Sequence, residues 1–509
     1  MFRTGPSGRP TGTTADDAYL RELGYEPVLT RRMGSFGNFA ISFSVISVLS
    51  GCMTLYGFGL ITGGPAVMLW GWITVGFMVM LVGLGLAEVT SAYPTSGALY
   101  YMAEQLGGRR WGWYTGWLNL LGLLGAIAGI DYGAALFISA FADLQWGFEA
   151  TPGSTMLIFL CVLLLHAALN LRGVRVVSVL NSISVWWHLA GVAVIVGVLV
   201  VVPSHHQSPS FVFGHFANET GWDNPLYVAA IGLLLAQYTF SGYDASAHLS
   251  EETTNAQVAA SRGIVRAIWV SWVAGFVLLA GLTFAIKDYA TVQGAAVPPA
   301  QIFLDAVGTS GAKALLLIVI VAQLFCGNAE TAAASRMAFA FSRDGALPGS
   351  AWWRHVDPRT GTPNRAVWLA VTAAAVLALP SLYSPTAYAA VTAINVLGIT
   401  PAYAIPIYLR IRYRRKFRPG PWNLGRWGVA IGSIAVLWVV FVTVLFCLPQ
   451  TRPDTGLFSV TTFNYAPLAL AVALALAWLW WRIAGRHDYK VPVHAYDHGR
   501  SIELEQEIV

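Results

Sequence analysis

Apolar runs of about 20 residues, the length that crosses a hydrocarbon core, recur along the whole chain and are separated by short polar loops. They predict helices over residues 36–60, 65–91, 112–142, 154–171, 176–202, 225–250, 264–286, 312–341, 364–381, 385–409, 427–448 and 463–483. No intervening stretch approaches the ~100 residues that a separate soluble domain would need. The fold class this pattern predicts is an all-α integral membrane protein with 12 transmembrane helices. Two of the runs carry a helix-breaking polar patch at mid-length: Ile46-Ser47-Val48-Leu49-Ser50-Gly51-Cys52-Met53-Thr54, and Tyr238-Thr239-Phe240-Ser241-Gly242-Tyr243-Asp244-Ala245-Ser246. Irregular backbone at membrane depth is tolerated only where it is buried in protein or lines a cavity.

Composition supports this reading. Of 509 residues, 56% are hydrophobic and 11% charged, against about 25% charged in soluble domains, and mean hydropathy is +0.60. A soluble protein is excluded, and the charges are too few for a nucleic-acid surface. Their placement says more than the net +5. With the N-terminus inside, 27 of the 30 Lys and Arg fall on the inner side and only Lys287, Lys313 and Arg452 outside, as the positive-inside rule requires. Both termini are therefore expected in the cytoplasm, with residues 1–34 and 484–509 as tails.

The first 34 residues lack an apolar h-region, so a cytoplasmic tail is expected there in place of a cleaved signal. The run at 410–418 reads as a topology anchor, with an anionic-lipid site as the alternative. The excess of Arg (26) over Lys (4) points to a bacterial source and hence an inner plasma membrane, which would leave the sequon Asn218-Glu219-Thr220 idle. Cys52, Cys161, Cys326 and Cys447 lie in apolar stretches without CxxC or a neighbouring His, so neither disulfides, a metal nor a cofactor is expected.

The two Ser-Gly patches lie 191 residues, or five spans, apart. An odd number of spans per repeat makes the repeats inverted, the arrangement of alternating-access transporters with a site at the bilayer midplane. Residues 35–202 and 225–409 would be the repeats and 427–483 two further helices. Amides freed around Ser50, Gly51 and Cys52 would hold a carboxylate. Carbonyls of Phe240 and Ser241, with the Asp244 carboxylate, would suit an ammonium.

On these residues the chain resembles the amino acid-polyamine-organocation (APC) permeases, most closely the amino acid/choline transporter branch that includes GABA and choline permeases. Ser47-Val48-Leu49-Ser50-Gly51-Cys52 is similar to the family's break in the first helix, with one Gly where two or three are usual. Phe240-Ser241-Gly242-Tyr243-Asp244, followed by Glu251-Glu252 and Ser261-Arg262-Gly263-Ile264, resembles the sixth-helix break and its loop. Ser342-Arg343-Asp344-Gly345-Ala346-Leu347-Pro348 and Pro358-Arg359-Thr360-Gly361-Thr362-Pro363 resemble the end of the eighth helix and the loop after it. The resemblance implies a leucine-transporter-like core of 5+5 inverted repeats plus two helices. It also implies a substrate against Ser47, Ser50, Gly51, Cys52, Phe240, Ser241 and Gly242, with Tyr238 or Phe240 as the closing aromatic.

Each ionisable group at membrane depth asks for a reason. Proton-coupled relatives often carry a Lys where His188 falls, and a His titrating near neutral pH would serve the same end; a neutral packing His is the alternative. Glu330, beside Asn328 in the eighth segment, is expected to pair with His188, or else to be packing polarity. Asp244 and His248, four residues apart on one helix face, would form with Glu251 an inner gate or proton exit, or a local capping and ion-pair group. Asp131 is a weaker ammonium contact, Glu88 an interface residue and His166 structural.

The function expected is secondary transport of an amino acid or related amine such as GABA by alternating access, with H+ as coupling ion. A polyamine or choline-type cation, or exchange, remains the alternative. A membrane-embedded enzyme would need a catalytic constellation and a primary pump a GxxxxGK[ST] loop; neither is present.

Overall fold

The computed structural model describes residues 12–383, 385–452 and 463–492. The outer parts of both expected tails, residues 1–11 and 493–509, lie outside the described residues, and Arg3, Arg9 and Arg500 with them. The described residues form helices and no strand. Among the described residues eleven helices are long and apolar enough to cross a membrane. The remaining predicted segment, 225–250, is built from short pieces: Pro225–Gly232, Leu234–Thr239 and Ala245–His248. Exposed Trp70, Trp186, Val201, Leu437, Val444 and Leu476 form an apolar outer surface suited to lipid.

The eighth segment is longer than its apolar run suggests. It extends over Pro298–Arg343, with a kink at Gly308 (φ 67°). The first segment breaks at Ser47 (φ 31°, ψ 85°), between Ser35–Ile46 and Val48–Thr54, three residues earlier than the Ser50-Gly51 pair. The amides of Ser50 and Gly51 both donate to the Ser47 carbonyl, at 2.8 and 2.9 Å. This corrects the expectation of free amides there: the left-handed Ser47 turns its own carbonyl into their acceptor.

The third segment, Arg109–Trp146, is the central post and packs against the tenth, Pro385–Arg412, and the eighth. Helices three and ten meet backbone to backbone at Gly122 and Gly398. A Cβ on Gly122 would lie 2.5 Å from the Ile399 amide, and one on Gly398 would lie 2.6 Å from the Gly122 amide. Such contacts are how membrane helices gain packing without a hydrophobic driving force. Gly51 likewise brings the first break against the sixth, since a Cβ there would lie 2.5 Å from Thr239 Oγ1.

At the arginine-rich end, the described part of the N-terminal tail is docked. Leu20, Leu23, Tyr25, Leu29 and Met33 are buried. The amides of Arg32 and Met33 donate to the Glu252 carbonyl, and Arg31 donates to the carbonyls of Ser250 and Thr253. The chain beyond the last span joins the same place: the Lys490 amide donates to the Asp344 carbonyl, and Tyr489 is fully buried. Few apolar positions announce this docking in sequence, because it needs only five buried side chains and backbone hydrogen bonds.

Candidate functional site

The breaks in the first and sixth segments face a narrow internal cavity that is nearly closed, with a free volume of about 10 Å³. Val45, Ile46, Ser50 and Gly51 line it from the first segment, Tyr238, Thr239, Ser241 and Gly242 from the sixth, and Ala126 and Ile130 from the third. Cys326 and Glu330 come from the eighth, and Asn395 and Ile399 from the tenth. Of the residues singled out in sequence, Ser50, Gly51, Tyr238, Ser241, Gly242 and Glu330 therefore meet at one cavity. Ser47, Cys52, Phe240 and Asp244 are buried but do not line it. Phe240 packs on Trp72 with ring centroids 4.4 Å apart, which leaves Tyr238 as the aromatic at the cavity wall.

The sixth segment is held open by a short relay. Gly242 takes φ +86°, and its amide donates to the Tyr403 hydroxyl at 2.9 Å. That hydroxyl in turn donates to Asp244 Oδ1 at 2.8 Å. Asp244 Oδ2 receives Asn119 Nδ2 at 3.3 Å and faces His248 Nε2 at 3.1 Å. Asp244 is thus occupied by protein groups, which corrects its reading as a free ligand for an ammonium. The other nitrogen of His248, Nδ1, faces the Ser96 carbonyl at 3.1 Å. A carbonyl only accepts, so Nδ1 is the donor of that contact.

His188 and Glu330 are not hydrogen-bonded to each other, contrary to the expected pairing. His188 Nδ1 lies 2.8 Å from the Ser184 carbonyl, to which it donates. Its Nε2 lies 2.7 Å from Ser47 Oγ, so the neutral ring accepts from that hydroxyl. Protonation at Nε2 would reverse this bond, and the group it reverses is the side chain at the first-helix break. Both carboxyl oxygens of Glu330 lack a hydrogen-bond partner.

Asp131 Oδ2 lies 3.0 Å from His166 Nδ1, which places the weaker ammonium candidate in a buried pair away from the cavity wall. Asn328 accepts from Asn170 Nδ2 through Oδ1 at 3.1 Å and joins the fourth segment to the eighth. Among the described residues no three His, Cys, Asp or Glu side chains gather closely enough to hold a metal ion.

At the arginine-rich end the sixth segment closes on the eighth. Arg343 donates to both oxygens of Glu251, at 3.0 and 3.1 Å, and Glu251 Oε1 also receives the Ser96 amide at 2.9 Å. Glu251 is therefore joined to His248 through Ser96. Glu88 pairs with Arg410 at 2.8 Å. Beside this group the hydroxyls of Tyr25 and Tyr100 donate to Asp344 Oδ2 at 2.7 and 2.8 Å. Burial pushes the Asp344 carboxyl up to about 6, against the opposing pull of Arg343 and the two hydroxyls.

A free Asp titrates near 3.9, so the folded protein binds this proton more tightly than the unfolded chain. The stability this carboxyl contributes is then full below about pH 4, is lost as pH rises through about 6 and is level above that, at ~1.4 kcal/mol per unit of difference. Through this group the melting temperature in detergent is expected to be lower at pH 7 than at pH 5. Asp344→Asn, a mimic of the neutral acid, should flatten that difference; equal pH dependence in the variant would refute the assignment.

Several contributors were not assigned to the site in sequence: Asn395, Ile399, Tyr403 and Asn119, and Cys326, which was read only as a cysteine in an apolar stretch. A signal for the first two exists, since Asn395 and Ile399 are four apart and share a helix face next to the close-approach Gly398. Tyr403 lies one further turn along. Polar residues in an apolar helix are common enough that the sixth-segment contact alone separates these from packing.

A sequence model of the family described as "Amino acid permease" matches residues 34–476. The chain is 40% identical to a rice protein named "Amino-acid permease BAT1 homolog", over 96% of this chain and 97% of the relative. It is 39% identical to the Arabidopsis thaliana "Amino-acid permease BAT1", over 93% and 95%. It is 29% identical to a Saccharomyces cerevisiae protein named "GABA-specific permease", over 96% and 86%. These relatives are transporters and not enzymes. With a match spanning nearly the whole chain and eleven membrane-length helices among the described residues, this multi-pass membrane protein belongs to the amino acid permease family of the APC superfamily.

Proposed function

We propose that this permease carries an amino acid or a related amine such as GABA across the plasma membrane by alternating access, coupled to protons. The observation that carries the reading is the 2.7 Å contact between His188 Nε2 and Ser47 Oγ. It ties a titratable ring to the hinge of the first broken segment, whose next turn supplies Ser50 and Gly51 to the cavity. The twelve-segment arrangement is read as two inverted five-helix repeats plus two helices, with both termini cytoplasmic. In this reading the Arg343–Glu251 pair and the docked tails form the closed inner gate. Asp244 and His248, joined to Glu251 through Ser96, lie on the proton's way out beside that gate.

Uptake into proteoliposomes tests this directly, with labelled GABA, neutral amino acids, putrescine and choline under imposed proton or sodium gradients. Proton-driven accumulation of an amino acid or GABA is expected. His188→Ala should reduce that accumulation at least tenfold while leaving counterflow exchange. Sodium dependence with no response to a proton gradient would sink the coupling assignment. Undiminished accumulation in the variant would make His188 a packing residue.

A further inference from the structure

We propose that Glu330 is the counter-ion for the substrate's ammonium group, and that the cavity selects its substrate by a primary amine. This rests on reading the cavity as the substrate site. Glu330 lines the cavity, its relative exposure is 0%, and neither of its oxygens has a hydrogen-bond partner. Isolated burial of an ionised carboxylate is costly, and natural structures relieve it by pairing. The other acids nearby have such partners: Asp131 faces His166, and Asp244 is held by Tyr403, Asn119 and His248. Among the described residues no Lys, Arg or His lines the cavity, so the protein supplies no cation to Glu330.

Two further unpaired groups at the same wall point to an N–H donor. Asn395 Nδ2 donates to Ser241 Oγ at 3.0 Å, and Ser241 Oγ donates to the Tyr238 carbonyl at 2.6 Å. That chain fixes the Asn395 amide and leaves its Oδ1 as a buried acceptor without a donor. The Tyr238 hydroxyl oxygen is unpaired as well. A carboxylate, an amide oxygen and a phenol oxygen around one small cavity match the three N–H donors of a primary ammonium. A quaternary ammonium has no N–H to give them, and an N-acylated amine has no charge.

Binding to the purified full-length protein tests the assignment, with labelled GABA and labelled alanine as probes and choline, butyrate and N-acetyl-GABA as competitors. Wild type should bind at least one probe, and none of the three competitors should displace it. Glu330→Gln is expected to weaken binding about 30-fold or more, as when one partner of a buried charge pair is removed, with Glu330→Asp recovering part of the loss. Should the Gln variant fail to fold, the competitor arm on wild type decides. Probe binding with Glu330→Gln unchanged within twofold, or displacement by butyrate or choline as effective as by unlabelled GABA, overturns the assignment and leaves the cavity as substrate site. No binding of either probe to wild type overturns both.

Discussion

Arg336→Ala is expected to lower stability by about 3–5 kcal/mol, the usual consequence of removing one partner of a buried ion pair. Arg336 Nε lies 2.9 Å from Glu252 Oε1, and both side chains are completely buried. Arg336 also donates to Ser335 Oγ at 3.1 Å. With Arg336 gone, Glu252 keeps a desolvated carboxylate, and burial already drives that group toward its neutral form against the pull of Arg336. The damage should extend beyond the pair, because the Glu252 carbonyl receives the amides of Arg32 and Met33 and so anchors the N-terminal segment.

Thermal and denaturant unfolding in detergent would measure the loss. The double replacement Arg336→Met with Glu252→Gln should recover much of it, since no lone charge stays buried. A single variant within about 1 kcal/mol of wild type, on the scale of exposed pairs, would show that this pair is not sealed from water.

Gly242→Ala should lower transport strongly. Its φ of +86° is one that L-residues adopt at a cost of about 1–2 kcal/mol. The added Cβ would collide with Val45 Cγ1 in the first segment, an overpacking worth about 1–3 kcal/mol. Relief requires the two breaks to separate, which stretches the Gly242 amide away from Tyr403 and distorts the cavity wall. Uptake is therefore expected to fall about tenfold or more, with a lowered melting temperature. Gly147→Ala is the control: its φ is +65° but nothing lies within 4 Å of the new methyl, so it should cost only the backbone strain and spare transport. Equal effects of the two substitutions would mean that the contact between the breaks is not what matters.

Much of the architecture was legible in the chain because lipid imposes rules that short windows can reveal. A segment crossing hydrocarbon must be apolar over a fixed length, and its charges must stay at the ends. Polar patches at Ser47–Cys52 and Tyr238–Asp244 stood out against that background, and both lie at interruptions of helix. Their detail was less readable. Ser-Gly suggested a break at Ser50, but the backbone turns at Ser47, because a local motif does not say which residue absorbs the positive φ. Phe240 and Tyr238 are two residues apart in the same break, and only the positions of Trp72 and the cavity distinguish packing from lining.

Hydropathy and charge along the chain were enough to establish the membrane class, the placement of nearly all the spans, the two interruptions and the few ionisable groups at depth. All of these stem from the local cost of exposing polar groups to hydrocarbon. The partners of those groups emerge only once the helices pack. His188 meets Ser47 and not Glu330, Asp244 meets Tyr403 and His248, and Glu330 meets no protein donor. A hydrogen bond depends on separations of about 3 Å between residues as far apart in the chain as Ser47 and His188. Hydropathy carries no record of such distances, and helix packing through contacts such as Gly122 with Gly398 creates them.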